Sequence, residues 1–364
     1  MVTLSLCMIV RDEEAVLARC LQSVRAAVDE MILVDTGSLD GTREIAGGFT
    51  EKIYDFTWID DFSAARNYAV SKASGDYWMW LDADDVLSRE AAEKLIRLKK
   101  QLDPKTDVIM MPYGMEFDSR NRPLFLYYRE RILRNSPRYR FQGRVHECVP
   151  PAGEIRKEDI LVEHRPLSRK RSDRNLKIYE KMKKEKAVFT SRDLYYYGRE
   201  LTEHGAYEKG EKILRQFLER GAGWEEDCLE ACRQRAFCLE QLGQEEKALE
   251  ALLRGLAYGG PGGEICCALG QHFLNRRRYK EAIWWFRQAL SSKKREDSGG
   301  FIREDCYGYL PAVSLCVCYD RIGDLKTAER YNELAGTYKP EDPSYLYNKA
   351  YFLQREKQIK RDSI

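Results

Sequence analysis

Nowhere does the 364-residue sequence approach the roughly 18 consecutive apolar residues that a membrane-spanning helix needs. The apolar start at Met1 to Val10 is short, and Arg11-Asp12-Glu13-Glu14 closes it. Neither a secretory signal nor a transmembrane segment is expected. An excess of charge is missing too: 61 basic residues face 59 acidic ones, which removes any global electrostatic case for a nucleic-acid partner or a membrane surface. Cys-x-x-Cys is absent, and Cys228-x-x-x-Cys232 and Cys316-x-Cys318 lack the spacing of a zinc site. The eleven cysteines, eight of them beyond residue 227, read as small buried thiols in a reducing cytosol, so a cytoplasmic protein is expected.

What the chain has instead is Tyr77-Trp78-Met79-Trp80-Leu81 running without alternation into Asp82-Ala83-Asp84-Asp85. The run predicts a strand buried on both faces, and the acids predict a polar site at its C-terminal end, where open parallel sheets bind ligands. If the extended conformation continues, Asp82 and Asp84 share a face and Asp85 points away. Two convergent carboxylates suit Mg²⁺ or Mn²⁺ bridging to nucleotide phosphates. A solvated strand end, with Asp beginning a turn, is the plainer alternative. A calcium loop starting at Asp82 would place Leu87 where glycine is required, and an aspartyl phosphatase motif would place Val86 where threonine is wanted.

The preceding residues alternate strand and helix. Leu4 to Val10, Glu30 to Val34 and Lys52 to Phe56 read as strands, with an amphipathic helix carrying Val16, Leu17, Cys20, Leu21 and Val24 after the first. This is α/β order and implies parallel pairing. Asp61-Phe62-Ser63-Ala64-Ala65-Arg66-Asn67 opens a further helix, placing Arg66 where its fork suits phosphate oxygens. A surface pair of Arg66 with Asp60 or Asp61 explains it equally well. Asp107 to Met115 reads as another strand, and Leu124 to Leu133 as a strand near an edge.

Four segments carry a resemblance: Ser5 to Glu14, Ile32 to Thr42, Asp61 to Asn67 and Trp80 to Asp85 are similar, in order and spacing, to the signatures of bacterial family 2 glycosyltransferases with a GT-A fold. The resemblance implies that Val10, Arg11 and Glu13 lie along the nucleotide and that Asp35 receives its base, usually uracil. Asp82, with Ala83, and Asp84 match an Asp-x-Asp that meets the ribose and the diphosphate-bound metal, and Arg66 matches a residue near the phosphates. Asp12 departs from the family's common Asn and adds charge there. In Phe141-Gln142-Gly143-Arg144-Val145-His146-Glu147, the resemblance puts His146-Glu147 on the acceptor side. Glu147 is the leading general base, His146 its orienting neighbour or a sugar contact, and Asp85 the second candidate base. His164 is a possible third metal ligand beside Asp82 and Asp84, or a hydrogen-bonded histidine at a domain border.

From Arg165 to Lys186 ten basic residues face three acidic ones, which reads as a solvated connecting helix or a surface for an anionic membrane or acceptor. Helices follow alone. Gly210, Ala248, Ala282 and Ala328 recur with Gly198, Ala236, Gly270 and Cys316 twelve residues before them, a pattern that resembles tetratricopeptide repeats. Their separations imply insertions, notably Lys293 to Gly300. Trp284-Trp285-Phe286 reads as packing between repeats.

The expected organisation is a GT-A domain over 1–168, a basic connecting helix over 169–190, repeats over 191–357 and a polar tail over 358–364. The order of the two domains also resembles the sublancin-type enzymes that glycosylate cysteine in bacteriocin precursor peptides. The expected function is metal-dependent, inverting transfer of a hexose from a nucleotide-sugar donor, UDP-linked by resemblance, to a peptide or glycan acceptor, with a homodimer through the repeats. The alternative is an inactive transferase-like scaffold that binds proteins through its repeats.

Overall fold

Tyr77–Trp80 (β4) is buried at all four positions because apolar layers cover both faces of the sheet that contains it. The computed structural model of the protein describes residues 2–118, 121–167, 172–294 and 302–362. They fall into two compact units, Met1–Val188 and Phe189–Ile364. The segment expected to connect the domains contributes the helix Arg174–Lys184 to the first unit. The expected boundary at 168–169 lies outside the described residues, as do 295–300 of the expected insertion and 363–364 of the expected tail.

In the first unit, β1 (Leu4–Val10) runs parallel to β2 (Glu30–Asp35) and to β4, and β2 runs parallel to β3 (Ile53–Asp55). Val10 pairs with Asp35 and Cys7 with Trp80, so these strand ends open at one edge of the sheet. Helix α1 (Leu17–Val24) buries Leu17, Cys20, Leu21 and Val24 in the layer that also holds Leu6, Met8 and Met79. The other layer joins Ile32, Val34, Trp78 and Trp80 to Ala69 and Val70. Those two alanine and valine side chains come from α3 (Phe62–Val70), whose N-cap Asp61 accepts the Ala64 N–H. Helix α2 (Thr42–Gly47) follows β2, with Asp40 accepting from Thr42.

Beyond β4 the sheet is mixed. The strand order is β3-β2-β1-β4-β7-β6-β9-β5, with β5 at Asp85–Leu87, β6 at Val108–Phe117, β7 at Pro123–Arg134 and β9 at Val162–His164. A short β8 (Ile155–Lys157) pairs with β6, and α4 (Arg89–Gln101) precedes it. Strand β7 does not lie near an edge as its alternation suggests. It runs antiparallel between β4 and β6, and its charges are interior because they find interior partners.

After α5 (Arg174–Lys184) the second unit is a series of helical hairpins: α6 with α7 (Ser191–Glu203, Tyr207–Arg220), α8 with α9 (Glu225–Gln241, Glu245–Gly255), α10 with α11 (Gly263–Asn275, Tyr279–Ser291) and α12 with α13 (Tyr309–Arg321, Leu325–Tyr338). A final helix, α14 (Pro343–Asp362), continues through the start of the expected tail. The recurrent small residues sit where helices meet. A methyl group on Gly198 would come within 2.7 Å of the Leu214 side chain, and one on Gly270 within 2.7 Å of Phe286. Of the aromatic cluster on α11, Phe286 is fully buried while Trp284 is 54% exposed. Removing the Phe286 ring leaves a void at the α10–α11 contact. Phe286→Ala should cost about 3–5 kcal/mol in urea denaturation of the full chain.

Candidate functional site

The ends of β1, β2 and β4 and the start of α3 surround a cavity of about 350 Å³. Its wall holds Val10, Arg11 and Glu13 after β1, Thr36 after β2, Arg66 on α3, and Asp82, Ala83 and Asp84 after β4. His146 and Glu147, His164 at the end of β9, and Arg174 and Asn175 at the start of α5 also line it. Thus residues expected from four separate stretches share one space. Asp35 and Asp85 are not in the wall.

The carboxylate run turns instead of staying extended: the Asp85 N–H donates to the Asp82 carbonyl at 3.0 Å. Alternation therefore stops, and the three acids take three different roles. Asp82 accepts from Arg66 Nη2 at 2.6 Å, and the charges of Arg66 and Arg131 hold its carboxyl down at about 2 against the opposing effect of burial. Asp84 sits at the mouth of the turn, 3.2 Å from His164 Nδ1. Asp85 has no exposed surface. It accepts from Tyr113 Oη at 2.8 Å, from Arg131 Nη1 at 3.1 Å and from the Asp82 N–H at 3.0 Å. Asp85, expected as a second candidate base, thus has its carboxylate committed to three donors away from the cavity wall, where it holds the turn.

Arg66 belongs to the interior and does not pair with Asp60 or Asp61. Asp60 is taken by Lys181 and Asp61 caps α3. The Arg66 guanidinium instead bridges Asp82 and Glu147, over the Trp80 ring at 4.8 Å. His146 has a φ of 51°, an uncommon backbone state for a non-glycine residue, next to that bridge. Asp35 turns Oδ1 to the Gly37 and Ser38 N–H groups at 2.9 and 2.8 Å, with Oδ2 3.9 Å from Arg43. Asp12 also serves the loop. It takes a φ of 54°, where Asp and Asn are the tolerated side chains, and accepts from Leu39 N–H at 2.7 Å.

One group of side chains suits a cation. Ligand atoms of Asp84, Asp85 and His164 lie within 4.8 Å of one another, whereas Asp82, expected among the ligands, lies outside that group. His164 Nδ1 is close to both carboxylates yet makes no aligned hydrogen bond. Burial works against its charge, but Asp84 and Asp85 outweigh that and push its pKa up to about 10. The Asp84 carboxylate and the His164 imidazole, with Asp85 behind them held by its own three donors, suit Mn²⁺ or Mg²⁺, with loss of the imidazole proton on binding.

Residues 5–161 match the family model described as glycosyl transferase family 2. That segment is a family 2 glycosyltransferase domain. Over 150 residues the chain is 45% identical to a TPR repeat-containing protein of Synechococcus elongatus, covering 41% of this chain and 36% of that one. Over 149 residues it is 30% identical to the SPbeta prophage-derived glycosyltransferase SunS of Bacillus subtilis, covering 40% and 34%. The chain thus spans about a third of the length of these relatives. A solved thermophilic TPR protein of Thermus thermophilus is 17% identical with a TM-score of 0.37, covering 50% of this chain and 90% of that one.

Within the family 2 domain, the wall residue Thr36 and the cavity-facing arginine Arg129 escaped the sequence reading. Arg174 and Asn175, which lie beyond the matched segment, escaped it too, with only the basic composition of Arg165 to Lys186 as a signal.

Two stability predictions follow from these charges. Removing one partner of the fully buried Arg131–Asp85 pair leaves the other uncompensated, so Asp85→Ala should lower stability by about 3–5 kcal/mol in urea denaturation. Glu13 is the second test. Burial and the charges of Asp84 and Asp82 push its carboxyl up to about 7, so the folded state holds a proton that the unfolded chain releases near its ordinary 4.5. Its contribution to stability is therefore intact below about 4.5 and is lost as pH rises through 7. Glu13→Gln should match the wild type at low pH and become the more stable protein above pH 7, read from urea midpoints at several pH values.

Proposed function

We propose that this protein transfers a hexose from a nucleoside diphosphate sugar, with UDP as the nucleotide, to a nucleophile on a peptide or a glycan. The observation that carries this reading is the gathering of Asp82, Asp84, Glu13, Glu147 and Arg66 around one cavity at the strand ends of a family 2 glycosyltransferase domain. The relatives described as glycosyltransferases support it. The reaction takes place in the cytosol, and the helical repeats recruit the acceptor or a second copy of the chain.

Asp84 and His164, with Asp85 behind them, would hold Mg²⁺ or Mn²⁺. Such a cation supplies neutralisation of the diphosphate charge as it grows. Val10, Arg11 and Glu13 border the nucleotide, Asp82 and Ala83 meet its ribose, and Asp35 keeps in shape the loop that borders its base. Arg66 holds Glu147 by one oxygen through a charge-assisted hydrogen bond, which fixes the direction of the other. That second oxygen takes the acceptor proton, and His146 beside it orients the sugar. Displacement from the face opposite the leaving group inverts the anomeric carbon.

Calorimetric titration of UDP and UDP-glucose with and without Mn²⁺ tests the reading. The wild type should bind in a Mn²⁺-dependent way, and Asp84→Ala should weaken binding by roughly tenfold or more, about 1.4 kcal/mol. A wild type that binds no nucleoside diphosphate, with any base, would instead make the chain a scaffold with a transferase-like domain.

A further inference from the structure

We propose that Arg174, beyond the segment that matches the family model, is the residue that pairs with the diphosphate as it leaves the sugar. This rests on the donor reading above and assigns a residue that the sequence pattern did not.

The argument compares the arginines around the cavity. Arg66 is claimed on both sides, by Asp82 and Glu147, so its charge is already balanced within the protein. Arg129 lies 3.4 Å from Glu130 and donates to the Glu147 carbonyl at 3.3 Å. Arg11 lies at the exposed rim, 3.8 Å from Asp12. The Arg174 guanidinium differs. Among the described residues it makes no hydrogen bond and has no carboxylate within 4.0 Å, although Glu13, Glu147 and Asp82 act on its charge from farther off. Its place is nevertheless set, because the guanidinium lies over the Phe62 ring at 4.6 Å and Phe62 also lines the cavity. A guanidinium held in position by an aromatic face, with its donors still open, suits a phosphate that it can grip by two N–H groups at once.

The chemistry requires such a group. Transfer breaks the bond between the anomeric carbon and the phosphate oxygen, and the electron pair stays on that oxygen. The acceptor atom bonds to the anomeric carbon, and its proton passes to Glu147. One negative charge is therefore gained by the diphosphate during the step. An interaction that strengthens with that charge speeds the reaction, whereas one already spent on Asp82 and Glu147 does not. The functional unit then extends past residue 161 to include the start of α5.

The test uses the full chain, Mn²⁺, and UDP against UMP, with the matching pair of another base if the wild type prefers it. The wild type should bind the diphosphate more tightly than the monophosphate. Arg174→Ala should lose roughly 10–100-fold for the diphosphate, about the worth of a hydrogen bond to a charged group, and little for the monophosphate. Turnover of the nucleotide sugar should fall with it, and Arg174→Lys should recover part of both. Since the guanidinium has no hydrogen-bonded partner among the described residues, thermal unfolding of Arg174→Ala should stay close to wild type. An unchanged preference for diphosphate together with wild-type turnover overturns this assignment and leaves the donor reading standing. Failure of the wild type to bind any nucleoside diphosphate overturns both.

Discussion

The buried pair of Arg131 and Asp85 is the constraint on which the site rests. Neither side chain has exposed surface, and taking two charges out of water is costly unless their remaining donors and acceptors are met. The acceptors of Asp85 are met by the elements that form the site, whereas Nε and Nη2 of Arg131 find no hydrogen-bond partner among the described residues. Arg131 also donates to the Trp80 carbonyl at the end of β4 and lies over the rings of Trp80 and Tyr113, while Asp85 binds the Asp82 N–H. Strands β4, β5, β6 and β7 are thereby tied at one point. The turn that presents Asp82 and Asp84 cannot relax without separating the pair. An apolar pair of the same volume would cost less to bury, but it would not direct the Asp82 backbone or face His164.

A second set of ion pairs governs the wall of the cavity around Glu147. Arg66 joins α3 to the Asp82 turn and to Glu147, which lies in a stretch of irregular backbone where Gly143 and His146 both take positive φ. Loops hold functional groups well only when something rigid anchors them. The anchor here is a guanidinium packed on Trp80 and Phe141. An arginine that orients two carboxylates has its donors occupied, so its value lies in geometry.

Much of this was legible in the sequence, for reasons that individual residues make plain. The run Tyr77 to Leu81 is apolar on both faces because both faces are covered, and no partner need be known to read it. Gly198 and Gly270 mark helix contacts because a larger side chain would collide with Leu214 or Phe286. Strand β7 misled because Arg129, Glu130 and Arg131 stand together in a strand of otherwise apolar and aromatic residues, as they would at a solvent edge. Their interior place depends on Asp85 and Glu130, and Asp85 lies 46 residues earlier. Extrapolating strand alternation past Trp80 failed because one backbone hydrogen bond, Asp85 to Asp82, converts the strand end into a turn. Arg174 gave only a compositional signal, since nothing local says which end of a basic helix will meet a cavity.

The three aspartates of the turn show how adjacent identical side chains acquire different chemistry. Their intrinsic acidity is the same, and the differences come from what each one meets. Asp82 meets an arginine and stays charged, Asp85 meets an arginine and a phenol away from solvent, and Asp84 meets only a histidine that must give up a proton before a cation can replace it. Of the three, Asp84 alone combines an open position with a neighbouring imidazole that could share a cation with it. The order of events in the cavity follows from that asymmetry. Asp84 and Asp85 hold the His164 pKa up at about 10, so a cation taken up by these groups would have to displace a proton. Occupation of the site by a metal would therefore strengthen as pH rises toward the raised pKa of His164.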